Sequence, residues 1–444
     1  MSIPVLSGMP AFARFVWNKL RGRPTVQADQ GAIAAGESQV ISAPVATSGS
    51  MAAGGQATIA TSASGGTTIV VQPGGTLNLG SYVDGLPQAK DPVLRAAFEE
   101  GRRLQDEGYK AQSRDKHEEA IDRFTRALAL AENDSQRDAL HILRGNSYAD
   151  ISRYKEAQAD YEETLKLAGR ISTEQGAAEA RAAALGNLGT VYLQRGDLDK
   201  AEEHYKQALD IHGEIGNRLG EAAALGNLGG VYLHRNGPGD LDKAEEHLKK
   251  ALDIAREIGN RLGEANQLGN LGLVYFRRGE SGKAEEHLKL SLGIQREIGD
   301  RLGEARQLGN LGGVYYQRGQ LEKAEKHHKQ ALTLDREIGN RLGEAIQLDH
   351  LGNIYAKRGD LKKAEEHHKK ALDIDREIGN RLGEADDLCH LGLVLLHLDE
   401  LEKARDHLQQ AQAIFQEIGA GGPNVELVRQ ALEELKRQQQ ERGE

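Results

Sequence analysis

Histidine is the residue whose spacing in this chain most invites a chemical reading. His204, His247, His287, His327, His367 and His407 recur at steps of 40 or 43 residues, and His328 and His368 double two of them. Imidazole nitrogens are common transition-metal ligands, so a regular series raises the question of a metal array. Spacing argues against it. Side chains on successive packed helices stand about 10 Å apart, whereas zinc holds each ligand at about 2.1 Å. One histidine per step cannot chelate along the series, which predicts solvated or packing roles and no metal.

Other chemistry finds less support. Gly279-Glu-Ser-Gly-Lys283 resembles a phosphate loop, but its spacing is short and no strand precedes it. There is no His-Glu-x-x-His, nucleophile elbow or dinucleotide fingerprint. Cys389 is the one cysteine, which excludes an intramolecular disulfide and a Cys-rich zinc site and points to a reducing, cytoplasmic setting. The carboxylates are abundant but locked to a period, as surface charge is. The expectation is a protein that is not an enzyme and needs no cofactor.

The elements that carry these residues follow from composition and period. Of 444 residues only 4% are aromatic, 39% are hydrophobic and 28% are charged, a mixture suited to helices with solvated faces. A net charge of −10 disfavours nucleic-acid binding, and no apolar run approaches the roughly 18 residues of a membrane span. Seven of nine prolines lie at or before Pro92, and between Pro24 and Gly80 the only charged residues are Asp29 and Glu37. The chain therefore divides near residue 90.

Residues 1–26 predict a short amphipathic helix, with Phe12, Phe15, Val16 and Leu20 on one face. Residues 27–90 are rich in Gly, Ala, Ser and Thr, a flexible linker or a small β element. Thr67–Gln72 and Thr76–Leu79 are β-prone runs joined by Pro73-Gly-Gly, and a hairpin is expected there.

Beyond residue 90 the chain repeats itself. Leu-Gly-Asn-Leu-Gly begins at Leu185, Leu225, Leu268 and Leu308, with decayed copies at Leu348 and Leu388. Tyr192, Tyr232, Tyr275, Tyr315 and Tyr355 mark steps of 40, 43, 40 and 40. The longer step carries an insertion at Asn236-Gly-Pro-Gly-Asp240, and Tyr109 and Tyr148 mark two degenerate copies upstream. Each unit predicts two helices. Leu185, Leu188 and Tyr192 share a face of the first; Gly196 ends it and Asp197 caps the second, which buries Leu198, Ala201, Tyr205 and Ala208. Gly216 stops that helix and Asn217 caps the next.

Leu185, Leu188, Gly189 and Tyr192, then Ala201, Tyr205 and Ala208, resemble the two helices of the tetratricopeptide repeat. Extra second-helix residues lengthen the unit to 40. With Glu-Ile-Gly-Asn/Asp-Arg-Leu-Gly-Glu-Ala at each junction, that form resembles Pins-type adaptors, the repeat arrays of bacterial regulators and, more distantly, kinesin light chains. The resemblance implies an all-α fold, a right-handed α-α superhelix with about eight units over residues 91–420. Residues 421–444 are read as a capping helix and tail, with Val425, Val428, Leu432 and Leu435 on one face.

In this family the first helices line a groove that binds another protein or peptide. Mapping that face onto the present sequence gives Asn266, Leu273, Phe276 and Arg277, then Arg306, Tyr316 and Gln317, then Asn353 and Lys357. Gly186, Gly226, Gly269 and Gly309 are expected at its floor, where a peptide backbone could come close. Phe276 and Tyr316 are the expected anchors. Of the Arg and Asn that Pins-type grooves use, only Arg306 and Asn353 match. Asn187, Asn227, Asn270 and Asn310 are expected to be structural, and Arg218 and Glu221 to tie repeats together. The resulting expectation is an interaction scaffold. The alternative is a sensor or regulator of a signalling system whose residues 1–90 self-associate or dock.

Overall fold

The computed structural model describes residues 58–61, 67–71, 75–77, 86, 89–111, 114–171, 173–235, 237, 239–421 and 423–442. The amphipathic helix expected at 11–21 lies outside them. Strands β1 (Thr58–Thr61), β2 (Thr67–Val71) and β3 (Gly75–Leu77) form an antiparallel sheet in the order β1-β2-β3. Ile69 is opposite Leu77 and Val71 opposite Gly75, which is the hairpin expected across Pro73. The added pairing of Thr58–Thr61 with Thr67–Val70 was not foreseen.

Seventeen helices follow among the described residues. They are α1 (Pro92–Ala111), α2 (Arg114–Leu130), α3 (Asp134–Asp150), α4 (Tyr154–Ala168), α5 (Glu174–Gln194) and α6 (Leu198–Glu214). Then come α7 (Arg218–Arg235), α8 (Asp240–Glu257), α9 (Arg261–Arg277), α10 (Ser281–Glu297), α11 (Arg301–Gln317) and α12 (Leu321–Glu337). The last are α13 (Arg341–Arg358), α14 (Leu361–Ile378), α15 (Arg381–His397), α16 (Leu401–Glu417) and α17 (Pro423–Arg442). Odd-numbered helices up to α15 are the first of a pair and even-numbered ones the second.

Two compact units divide the chain, one of residues 45–307 and one from Leu308 onward. In the first, helices α1 to α10 pack consecutively, and the first helices α3, α5, α7 and α9 also touch in series. Strand β3 lies against α5 and α7. In the second, α12 to α17 pack consecutively, and α13 touches α15. Short links make neighbouring helices antiparallel.

The local reasons are the ones read from the residues. Asn217 Oδ1 accepts from Gly220 N at 3.0 Å, and Asn260 from Gly263 N at 2.9 Å, capping α7 and α9. Asp197 caps α6 through Lys200 N at 3.3 Å. Gly216, between α6 and α7, has φ +66°, a conformation that costs an L-residue dearly.

Within each pair the helices close on a glycine. A Cβ on Gly189 would stand 2.8 Å from the Tyr205 ring, on Gly229 2.6 Å from Leu248 Cγ, and on Gly272 2.7 Å from Leu288 Cγ. These glycines are contact points, where backbone meets side chain. Leu198 is only half-buried, while Ala201, Tyr205 and Ala208 are fully enclosed. At the C-terminal end Val428, Leu432 and Leu435 pack with Leu408 and Phe415 in one cluster, and Val425 flanks it.

Charge knits the junctions. Arg261 pairs with Glu264 and reaches Glu297 at 2.6 Å, while Arg256 of the preceding pair reaches the same Glu264 at 2.9 Å. Arg218 likewise joins Glu221 and Glu257. Arg336–Glu344 and Arg376–Glu384 repeat the link from Leu308 onward. A second tie joins Tyr232, Tyr275 and Tyr355 to the preceding pair, as in Tyr275 Oη donating to Glu245 at 2.7 Å beside Arg278.

Candidate functional site

The first helices expose a row of positions one turn apart, and the expected residues fall along it unevenly. On α9, Leu273, Phe276 and Arg277 are half-buried, with one side open to solvent. Arg277 donates to the Leu233 carbonyl at 2.6 Å, and burial lowers its affinity for a proton. Asn266 is 7% exposed, which corrects its expected place: it belongs to the packing beneath the face. On α11, Arg306 and Gln317 are half-buried.

From Leu308 onward, Tyr316 is half-buried beneath Lys357, whose Nζ stands 4.3 Å from the ring centroid. Burial raises the Tyr316 hydroxyl to about 12 and lowers the Lys357 ammonium. A cation over an aromatic face leaves one flank of each group free for a ligand. Asn353 donates to Asp349 Oδ2 at 3.0 Å and so faces its own helix.

The floor glycines do not lie open as expected. A Cβ on Gly226 would meet Gln267 Nε2 at 2.8 Å, on Gly269 Gln307 Nε2 at 3.0 Å, and on Gly309 Gln347 Nε2 at 3.1 Å. Each is covered by the glutamine of the next first helix. Gly186 alone among the four has open space, because Ala224 stands where the other units have glutamine. The smallness of these residues serves the neighbouring helix.

The regular histidines are surface packing, as their spacing implies. Tyr192–His204, Tyr232–His247 and Tyr275–His287 have ring centroids 5.0, 5.3 and 4.8 Å apart. Each Nδ1 donates to the carbonyl of a lysine one turn earlier, such as His247 to Lys243 at 2.8 Å. Tyr315–His327 and Tyr355–His367 repeat the contact from Leu308 onward.

The doubling histidines behave differently. His328 and His368 are buried where other second helices carry Leu248, Leu288 and Leu408. His328 Nδ1 lies 2.9 Å from Gln347 Oε1, and its ring stacks near His350 at 4.8 Å. His368 Nδ1 lies 3.0 Å from Asp349 Oδ1, and His390 Nδ1 lies 2.7 Å from the same oxygen. Burial pushes the Asp349 carboxyl up, but His390 and His368 outweigh it and hold the group well below the ordinary carboxylate range. Burial lowers His368; at His390 the nearby Asp349 charge overcomes burial and raises the imidazole. Asp386 faces His390 as well, and burial lifts its carboxyl to about 6. This His–Asp cluster went unrecognised in the residue spacing.

Sequence and structure comparisons bear on the whole array. The tetratricopeptide repeat family's sequence model matches residues 135–211, 180–257, 238–297, 265–337, 304–377 and 344–417. No curated protein sequence matches significantly. Among solved structures, the chain is similar to the apo form of RapI, with 14% identity and a TM-score of 0.50 over 64% of this chain and 99% of that one. It is similar to a Rap protein complexed with competence and sporulation factor, at 15% identity and TM-score 0.51, covering 78% and 98%. It is also similar to a STAND signal-transduction ATPase with a tetratricopeptide repeat sensor from Pyrococcus horikoshii, at 18% and 0.54, covering 76% of this chain and 52% of that one. These likenesses are of fold. No described helix is long and apolar enough to cross a membrane.

Proposed function

The chain belongs to the tetratricopeptide repeat family, and from that premise we propose that it is a non-enzymatic adaptor whose first-helix face binds an extended peptide or helix of another protein. The observation that carries the reading is the half-open aromatic and apolar row itself. Leu273 and Phe276 on α9, and separately Tyr316 under Lys357, are large side chains that the fold leaves partly uncovered. Such side chains in partly desolvated settings are where interfaces concentrate their energy. A similarly folded Rap protein was solved complexed with competence and sporulation factor, which supports a binding role for such an array.

Selection of peptides from a random display library on the full chain tests this. Binders should lose affinity about tenfold or more on Phe276→Ala or on Tyr316→Ala, each made alone. Binders indifferent to both would overturn the groove.

Strand β3 favours a second reading, because it lies against the first helices α5 and α7. In that reading residues 1–90 dock or self-associate and regulate access to the face. Light scattering on the full chain and on a chain beginning at residue 91 separates the two. A mass per particle that falls to the monomer only without residues 1–90 favours self-association.

A further inference from the structure

We propose that Asp349, His368 and His390 bind one divalent transition-metal ion of the zinc and cobalt class. Three departures from the repeat carry this. Asp349 stands where other first helices have Gly226, Gly269 and Gly309, and His390 stands where they have Asn. His368 replaces the leucine that closes on the first-helix glycine, leaving its imidazole fully enclosed. Asp349 and His368 each introduce a polar group where other units have glycine or leucine, and burying an unsatisfied polar group is costly; His390 exchanges one polar side chain for a metal-ligating one. Together they converge. One ligand atom from each of the three lies within 4.8 Å of the others.

The arrangement is that of a ligand set already aimed. Both Nδ1 atoms point at Asp349 Oδ1, at 2.7 and 3.0 Å. Ligands about 2.1 Å from a tetrahedral ion stand roughly 3.4 Å apart, so an ion replacing these hydrogen bonds needs the groups to part by well under 1 Å. Two imidazoles and one carboxylate suit ions of this class better than magnesium or calcium, which prefer oxygen alone. Asn353 holds the other carboxylate oxygen at 3.0 Å, the kind of support that orients metal ligands. A Cβ on Gly352 would stand 2.6 Å from the His368 ring, so packing fixes that imidazole too.

Access is provided. Asp349 and His390 side chains are 17% and 19% exposed while His368 is 1% exposed. The ion would therefore sit on an enclosed imidazole and face outward, with its remaining position open to water or to a group of a bound partner. The regular histidines, five of them stacked on a tyrosine, take no part.

The repeat itself supplies variants that should fold. Asp349→Gly, His368→Leu and His390→Asn each restore the residue found at that place in other units. The full chain, stripped with a chelator, is titrated with Co²⁺ and followed by its visible absorption, then with Zn²⁺ by calorimetry. The expected result is one equivalent bound, with the cobalt band and more than about tenfold affinity lost in each reverted variant. His407→Asn, from the regular series, should bind as the wild type does. Helical circular dichroism confirms that each variant is folded. Absence of a one-equivalent cobalt signal in the wild type would overturn the proposal, and so would its survival in the reverted variants.

Discussion

Gly272→Ala should cost stability although alanine is the better helix former. Gly272 lies inside α9, and a Cβ there would stand 2.7 Å from Leu288 Cγ and 2.8 Å from Cδ2. Carbon pairs rest at about 3.5–4.0 Å, so α9 and α10 must part by about 1 Å or Leu288 must leave its rotamer. Overpacking of that kind costs about 1–3 kcal/mol, against a helix-propensity gain of about 1 kcal/mol. The net is a loss of about 0–2 kcal/mol. Gly293 supplies the control, since it lies inside α10 with nothing within 4 Å of an added Cβ. Gly293→Ala should show the propensity gain undiminished, so the two substitutions should differ by about 1–3 kcal/mol. Leu288→Ala alone removes a fully buried side chain and should cost about 2–5 kcal/mol. In the double variant the added methyl enters space that Leu288 vacated, so the loss should fall short of the sum by about 0.5–3 kcal/mol. Because repeat arrays can open unit by unit, urea midpoints should be paired with amide hydrogen exchange across α9 and α10. If Gly272→Ala stabilises as much as Gly293→Ala and the double variant is additive, the contact is not the lock described.

Three further outcomes are expected. Burial pushes the Glu245 carboxyl up, but Lys249, Tyr275 and Arg278 outweigh it and hold it at about 2, below the ordinary 4.5; its contribution is therefore full above pH 4.5 and lost as pH falls toward 2, and Glu245→Gln should flatten the stability profile in that window, read by urea midpoint. Burial lowers His212 to about 4, so stability should be full above pH 6.5 and fall as pH drops from 6.5 toward 4; His212→Leu should remove that slope in the same measurement. Asp399 holds φ +60° at a turn where Gly279, Gly319 and Gly359 serve the other units, so Asp399→Gly should raise the thermal midpoint, by about 1 kcal/mol of stability.

What the residues disclose and what they hide divide along a physical line. The helices, their caps at Asp197 and Asn217, and the closure of Gly189 on Tyr205 follow from local chemistry and period, so they can be read within one unit. The covering of Gly226 by Gln267 cannot be so read. It depends on where a flexible side chain one unit away comes to lie, and Gln267 looks like any surface glutamine. His367 and His368 make the point most sharply. They are adjacent and of one kind, yet one residue is about 100° of helix rotation. His367 stacks on Tyr355 in solvent while His368 is fully enclosed. Read as a doubled surface residue, His368 lost its meaning; compared with Leu288 and Leu408, it stands out as a polar side chain in an apolar place.

That comparison has a consequence for where specificity can reside. In a repeat array each unit is stabilised by itself and its neighbours, so residues held constant from unit to unit are explained by stacking. The Arg261–Glu264–Glu297 links and the Tyr275–Glu245 tie are of this kind, since equivalents recur along the chain. A feature that distinguishes one partner from another must come from positions where the units disagree. Phe276 in one compact unit, and Tyr316 under Lys357 in the other, are such positions, and so are Asp349 and His368 with His390. Asp349, His368 and His390 converge while His328 pairs apart from them with Gln347, and the open apolar departure at Phe276 lies in the other compact unit. Two histidines from different repeat positions thus meet at one carboxylate oxygen of a third departure, Asp349.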